Sequence, residues 1–245
     1  MIQSQNQFKS VGVLIPAFNE AENLARVLNV VCELDWVTQI VVVNDGSTDD
    51  TLDIIETFHA RDERVRTVHF PENRGKAAAL LTGVQTLSTE LVIFLDADLV
   101  GLQPFHLEEL YIPVLDGSCE MTIATFQHGN LLTDASHHFA PNLTGQRCLS
   151  RPEAEKALIP LVTTRYGVEV GLTIYARSQK WGIKNIVWVG VTHRMKEQKR
   201  KVIDGLYNRW QMYSQIFAIV AVPRYKSGRG VRWIKTIKRA RLTLR

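Results

Sequence analysis

The alternation in roughly the first hundred residues constrains this chain most. Short apolar and β-branched runs, Val11–Ile15, Ile40–Val43, Val65–Phe70 and Leu91–Leu95, are separated by stretches with helical character, Ala21–Val31, Thr51–Ala60 and Lys76–Leu87. Parallel strands need a crossover between them, usually a helix, so this alternation predicts βαβ units. The expected fold class is α/β, a mostly parallel central sheet flanked by helices. The runs are close to continuously apolar, as strands covered on both faces are. No Gly-x-Gly-x-x-Gly follows the first run, which disfavours a dinucleotide-binding domain, and the P-loop pattern is also absent. Further on, the sequence predicts a helix from Pro104 towards Pro113, a strand at Met121–Thr125, an irregular polar stretch at Gln127–Asn142, a helix over Val168–Lys180 and a strand over Ile183–Val189.

In parallel α/β sheets ligands bind beyond the carboxyl ends of the strands. Four polar clusters fall there: Pro16–Glu20, Asn44–Ser47, Asn73–Lys76 and Asp96–Asp98. Helix capping is the default reading for Ser47-Thr48-Asp49, since such residues favour caps and turns. The Asp96-Ala97-Asp98 element says more. Two carboxylates one residue apart after a buried run repel each other unless a cation neutralises them. Mg²⁺ or Mn²⁺ does this and is typically shared with substrate phosphates. Lys76, after Gly75 at a helix start, complements a diphosphate. Asp45 can accept hydrogen bonds from a nucleobase edge. Together these describe a nucleotide diphosphate site with a metal.

The segments Val13–Glu20, Val42–Asp49, Asn73–Lys76 and Asp96–Asp98 resemble those of family 2 glycosyltransferases with the GT-A fold. The resemblance covers roughly residues 10–195. It implies that Pro16, Phe18, Glu20 and Asp45 hold the base and ribose, that Lys76 and Asp96 attend the nucleotide and its diphosphate, and that Asp98 binds the metal. Asn44 departs from the pattern, since many relatives carry Asp there. The segments Leu143–Arg147, Arg165–Leu172 and His193-Arg194 are similar to acceptor-side motifs of glucosyl-3-phosphoglycerate synthases and related members. By that likeness Glu169 is a catalytic acceptor-side carboxylate beside Asp96, His193 a third metal ligand, and Gly145, Arg147 and Arg165 acceptor-binding residues. Arginines there suit a phosphate or carboxylate acceptor. UDP-glucose is favoured as donor, and a phosphorylated, lipid or small molecule is expected as acceptor. Two other readings stand beside this one. A sugar-phosphate nucleotidyltransferase would show a Gly-rich loop where Pro16–Glu20 stands, and a non-catalytic nucleotide-sugar-binding, membrane-associated protein would not need the Asp96/Asp98 pair.

Charge separates the two ends of the chain. Residues 224–245 carry nine Lys/Arg and no acid, leaving 20 basic against 25 acidic residues before them, a net of −5. We therefore divide the sequence into a GT-A domain, residues 1–200, and a helical, basic extension, residues 201–245. In the extension Leu206, Trp210, Tyr213, Phe217 and Val220 form one stripe, and the basic segment after Pro223 reads as an amphipathic helix attracted to anionic lipid. No nucleic-acid motif accompanies it, so no nucleic-acid partner is expected. The longest apolar run, Ile216–Val222, has seven residues, far below the roughly 18–20 of a membrane span. Met1–Ser10 is polar, without an apolar signal core. Three widely spaced cysteines, Cys32, Cys119 and Cys148, suit a reducing compartment. The expected location is cytoplasmic, peripheral at the inner face of the membrane.

Overall fold

The computed structural model describes residues 9–127, 144–162 and 167–193. The expected alternation is present as β1 (Val11–Ala17), α1 (Ala21–Cys32), β2 (Val37–Asp45), α2 (Thr51–His59), β3 (Val65–Phe70), α3 (Lys76–Thr86) and β4 (Leu91–Phe94). A two-residue β5 (Leu99–Val100), α4 (Pro104–Leu115) and β6 (Met121–Gln127) follow. Then come β7 (Arg147–Ser150), α5 (Arg151–Leu158) with a 3₁₀ turn, α6 (Val168–Ser178), β8 (Ile183–Val189) and a two-residue β9 (Thr192–His193).

Seven strands form one sheet in the order β3-β2-β1-β4-β7-β6-β8. β1, β2, β3 and β4 are mutually parallel, β7 runs antiparallel to both neighbours, and β6 and β8 are parallel. The α/β class is thus as the sequence indicates, with one inverted strand. Helices cover both faces, and the core divides accordingly. One apolar cluster joins Val13, Ile15, Ile40 and Val42 to Leu24, Val27 and Leu28 of α1; the other joins Leu14, Val41 and Val43 to Leu80 and Val84 of α3. Alternate residues of one strand serve opposite faces, which is why these strands lack polar positions.

From β1 the chain builds outward through β2 and β3, then returns through α3 to place β4 on the other side of β1. That reversal opens a crevice at the strand carboxyl ends. Among the described residues no helix is long and apolar enough to cross a membrane. The polar stretch (128–142), the stripe and the basic segment lie outside the described residues, apart from the backbone of Gln127.

Candidate active site

A cleft of about 730 Å³ occupies this crevice. Pro16, Phe18, Glu20, Asp45, Lys76, Asp96, Asp98 and His193 all line it, joined by Asn73, Arg74 and Gly75. Eight residues singled out in the sequence therefore meet in one place. All but His193 arrive there because an apolar strand or a helix start delivers them to the same sheet edge.

The loops after β1 and β2 are laced together. The amide of Asn19 donates to Ser47 Oγ at 3.0 Å, and the amide of Thr48 donates to Asn19 Oδ1 at 2.8 Å. Asn19 sits at φ 54°, a left-handed conformation that Asn tolerates better than most residues. Asp49 accepts from the Ala21 amide at the start of α1 and from the Thr51 amide and hydroxyl at the start of α2. Burial alone would raise the Asp49 pKa, but hydrogen bonds from Thr51 and Ala21 outweigh it and hold the carboxyl below its ordinary range. Of Ser47-Thr48-Asp49, only Asp49 meets helix-start amides, while Ser47 and Thr48 tie the loop to Asn19; the N-cap positions themselves are Glu20 and Asp50. Asn44 is fully buried and accepts from the Ser47 amide at 3.0 Å, so at this position the side chain shapes the turn. Gly46, at φ 73°, leaves no room for a Cβ against the backbone of Glu72 and Asn73.

Asp45 fixes the loop before α3: its two oxygens accept from the amides of Arg74 at 2.7 Å and Gly75 at 3.0 Å. Burial pushes its pKa up, and those amides only partly counter this. The next residue along, Lys76, extends its ammonium between two carboxylates. Nζ lies 2.6 Å from Asp96 Oδ1 and 2.7 Å from Glu169 Oε1. Desolvation opposes charging Lys76, yet both carboxylates together raise its pKa well above the ordinary value. Desolvation likewise opposes charge on Asp96, but Lys76 dominates the balance and its pKa falls. Lys76 stays protonated and Asp96 ionised. Glu169 reaches the pair from the first turn of α6, so its expected place beside the site is observed.

His193 enters by a different route. β5 and β9 pair antiparallel, setting Leu99 opposite His193. The imidazole Nδ1 then lies 2.9 Å from Asp98 Oδ1. Burial lowers the His193 pKa, but the bond to Asp98 and the charge of Asp96 more than reverse this, favouring the imidazolium. Donor atoms of Asp96, Asp98 and His193 all lie within 4.8 Å of one another. Two carboxylates and an imidazole are a fitting oxygen and nitrogen set for a divalent cation such as Mn²⁺.

The three residues expected to bind the acceptor, Gly145, Arg147 and Arg165, stand differently. Gly145 is buried, and a Cβ there would lie 2.6 Å from Asp96 Oδ1 and 2.8 Å from Lys76 Nζ. Its part is to let the chain pass close behind that ion pair. Arg147 is a correction. It has no exposed surface, and its guanidinium donates to the Thr144 carbonyl at 3.2 Å and to Thr173 Oγ1 at 2.9 Å. Burial lowers its pKa to about 10, with Glu169 and Asp96 pulling the other way. It is a buried structural cation beneath the carboxylates and offers an acceptor no surface. Arg165 lies outside the described residues.

One partner of the site carries no signal in the sequence. Gln146 Nε2 donates to Asp96 Oδ2 at 2.7 Å. The residue lies inside a noted motif, but nothing in its local pattern marks it as a partner of a residue 50 positions earlier. Helix α5 is also absent from the expectations, although Pro152 in the first turn and Glu153 behind it are a legible helix start.

Comparison with known proteins supplies the remaining step. The family model described as glycosyl transferase family 2 matches residues 12–156, more than half of the chain. Poly-beta-1,6-N-acetyl-D-glucosamine synthase of Staphylococcus epidermidis is 35% identical over 113 residues, 44% of this chain and 27% of that protein. Undecaprenyl-phosphate 4-deoxy-4-formamido-L-arabinose transferase of Pseudomonas syringae is 38% identical over 96 residues, 37% of this chain and 28% of that one. The chain thus spans little more than a quarter of the length of these curated relatives. Among solved structures, glucosyl-3-phosphoglycerate synthase of Mycobacterium tuberculosis, in complex with Mn²⁺, UDP-glucose and phosphoglyceric acid, is similar with a TM-score of 0.65. The match covers 90% of this chain and 83% of that one at 22% identity, a likeness of fold. With its motifs gathered in the cleft and the family model spanning the strands that carry them, the chain belongs to glycosyl transferase family 2.

Proposed function

We propose that this glycosyltransferase transfers a hexose from a nucleoside diphosphate sugar, UDP-glucose first among them, to a phosphorylated, lipid or small-molecule acceptor. The observation that carries the reading is the convergence of eight side chains from the ends of β1, β2 and β4, the start of α3 and the β5–β9 pair in one cleft. Phe18, 43% exposed, offers an aromatic face to a base, and Pro16, Glu20 and Asp45 line the same cleft. Asp96, Asp98 and His193 would hold Mg²⁺ or Mn²⁺, which supplies positive charge for the departing diphosphate. Lys76 adds a fixed ammonium on the same side, already charged before substrate arrives and so costing no reorganisation. In an inverting transfer Glu169 takes the acceptor hydroxyl proton; in a retaining one it orients the acceptor.

A thermal-shift screen of nucleotide sugars with Mn²⁺ tests the donor reading. A ligand at about 100 times its Kd stabilises the native state by about 2.7 kcal/mol, enough for a shift of several degrees. Selective stabilisation by a UDP-sugar is expected, and no response to any nucleotide sugar would sink the proposal.

The basic segment at 224–245 gives the acceptor side its own test. We read it as a contact with anionic lipid that holds the enzyme at a cytoplasmic membrane surface. Flotation with phosphatidylglycerol vesicles should carry the full chain and leave a chain ending at Pro223 behind; equal partitioning would remove the membrane contact.

A further inference from the structure

Gln146 is fully buried, yet its side-chain amide touches one of the most polar groups of the cleft. Asp96 has each oxygen engaged by a different element: Oδ1 by Lys76 of α3 and Oδ2 by Gln146 just ahead of β7. The terminal torsion of a carboxylate is broad and roughly two-fold, so a single ion pair leaves the plane of the group free to rock. The second donor removes that freedom. Gly145 closes the arrangement from behind, since any side chain there would run into both Asp96 oxygens and the Lys76 ammonium.

We propose that Gln146 is a positioning residue for Asp96, an inference that rests on the transferase reading above. The choice of a neutral amide matters. An arginine or lysine would orient the carboxylate equally well but would cancel the charge that Asp96 contributes to the group with Asp98 and His193. An amide orients through a hydrogen bond and leaves the net charge of the cleft unchanged. Gln146 Oε1 is buried without a hydrogen-bond partner among the described residues, so this side chain carries the cost of an unsatisfied acceptor. That cost points to the Nε2 contact as the reason for its presence. Its reach from the start of β7 also explains how an antiparallel strand inserted between β4 and β6 serves a site built on parallel ones.

The test compares Gln146→Leu and Gln146→Glu with Thr122→Val. Thr122 is equally buried but donates to the Leu110 carbonyl at 2.5 Å, within the packing of α4 on β6. Removing the amide should lower kcat at saturating donor on the order of 10- to 100-fold, the cost of a reacting group slightly out of place. KM for donor and acceptor should move less than about threefold. The carboxylate introduced by Gln146→Glu would face Asp96 with like charge, so that variant should fall further than Gln146→Leu. Thr122→Val should lose thermal stability with kcat within about twofold of the wild type. If kcat of Gln146→Leu stays within about twofold of wild type, or if both Gln146→Leu and Thr122→Val lose activity in step with their melting temperatures, the positioning role is overturned. A wild-type protein that neither bound nor turned over any nucleotide sugar would overturn the transferase reading and this inference with it. An active wild type with an unaffected Gln146→Leu overturns this inference alone.

Discussion

The two halves of the described chain build the cleft in opposite ways. Residues up to Asp98 bring their side chains to the site on consecutive strand ends, so each functional group follows directly from a local run of sequence. Beyond Asp98, Glu169 and His193 reach it from elements whose partners lie 93 and 95 positions away. The first half is a scaffold whose polar loops double as site. The second contributes single side chains, carried in by an inverted strand, a helix start and a two-residue pairing. A fold can thus set one side of a cleft by local sequence while the other side depends on long-range contact.

The strongest way to break this comparison is Asp98→Ala. It lies at the junction of the halves, between β4 and β5, and its loss should lower transfer by at least about 10²- to 10³-fold, as for removal of a group that stabilises transition-state charge. A radiolabelled-sugar transfer assay with Mn²⁺ reads it, and unchanged turnover would separate the cleft from the chemistry. Next comes Glu169→Gln, which keeps the shape of the second half and removes its charge. If Glu169 is the base, kcat falls about 10²-fold or more, and the nucleotide affinity measured by calorimetry changes far less. A parallel loss of nucleotide affinity would instead assign Glu169 to the donor half through Lys76.

Arg64→Ala tests whether the first half is stabilised independently of the site. The guanidinium donates to the carbonyls of Cys32, Leu34 and Val37 at 2.6–2.9 Å and pairs with Asp62 at 2.7 Å, away from the cleft residues. Hydrogen bonds to charged groups are worth about 1.5–3 kcal/mol, so a loss of about 2–3 kcal/mol in denaturant unfolding is expected, with kcat unchanged at a temperature where the variant is folded.

The smallest effect concerns pH. Hydrogen bonds from Arg64 hold Asp62 below its ordinary pKa despite some burial. A carboxylate with a depressed folded pKa contributes stability that is present above its unfolded value, about 3.9, and lost as pH falls through the folded value. Asp62→Asn should therefore flatten the loss of melting temperature below about pH 4 and leave the first half folded at neutral pH. An identical acid profile would show that this pair contributes nothing to the titration of stability.

What the sequence makes legible follows the same division. Val11–Ile15 and Leu91–Leu95 announce buried parallel strands because both faces of each are covered, and the acids and amides behind them stand out against that background. Short β7, with the sequence Arg-Cys-Leu-Ser, does not announce itself. Arg147 reads as an acceptor-binding residue until Thr144 and Thr173 are placed against it, and no local pattern supplies that placement. Gln146 is hidden for the same reason: an amide is informative only once its carboxylate partner is known. β5 and β9 are two residues each and carry no periodicity to detect.

The pairing of Leu99 with His193 has a consequence in time as well as in space. A chain emerging from the ribosome presents Asp96 and Asp98 long before residue 193 exists. Until the last described strand arrives, Asp98 lacks the imidazole that pairs with it, and Glu169 must appear before the Lys76 ammonium can be shared. Local segments of the first half can condense early, whereas contacts of such sequence separation form late because their loop closure has to be met first. The acids of the cleft are therefore present in the growing chain well before the partners that the fold sets against them.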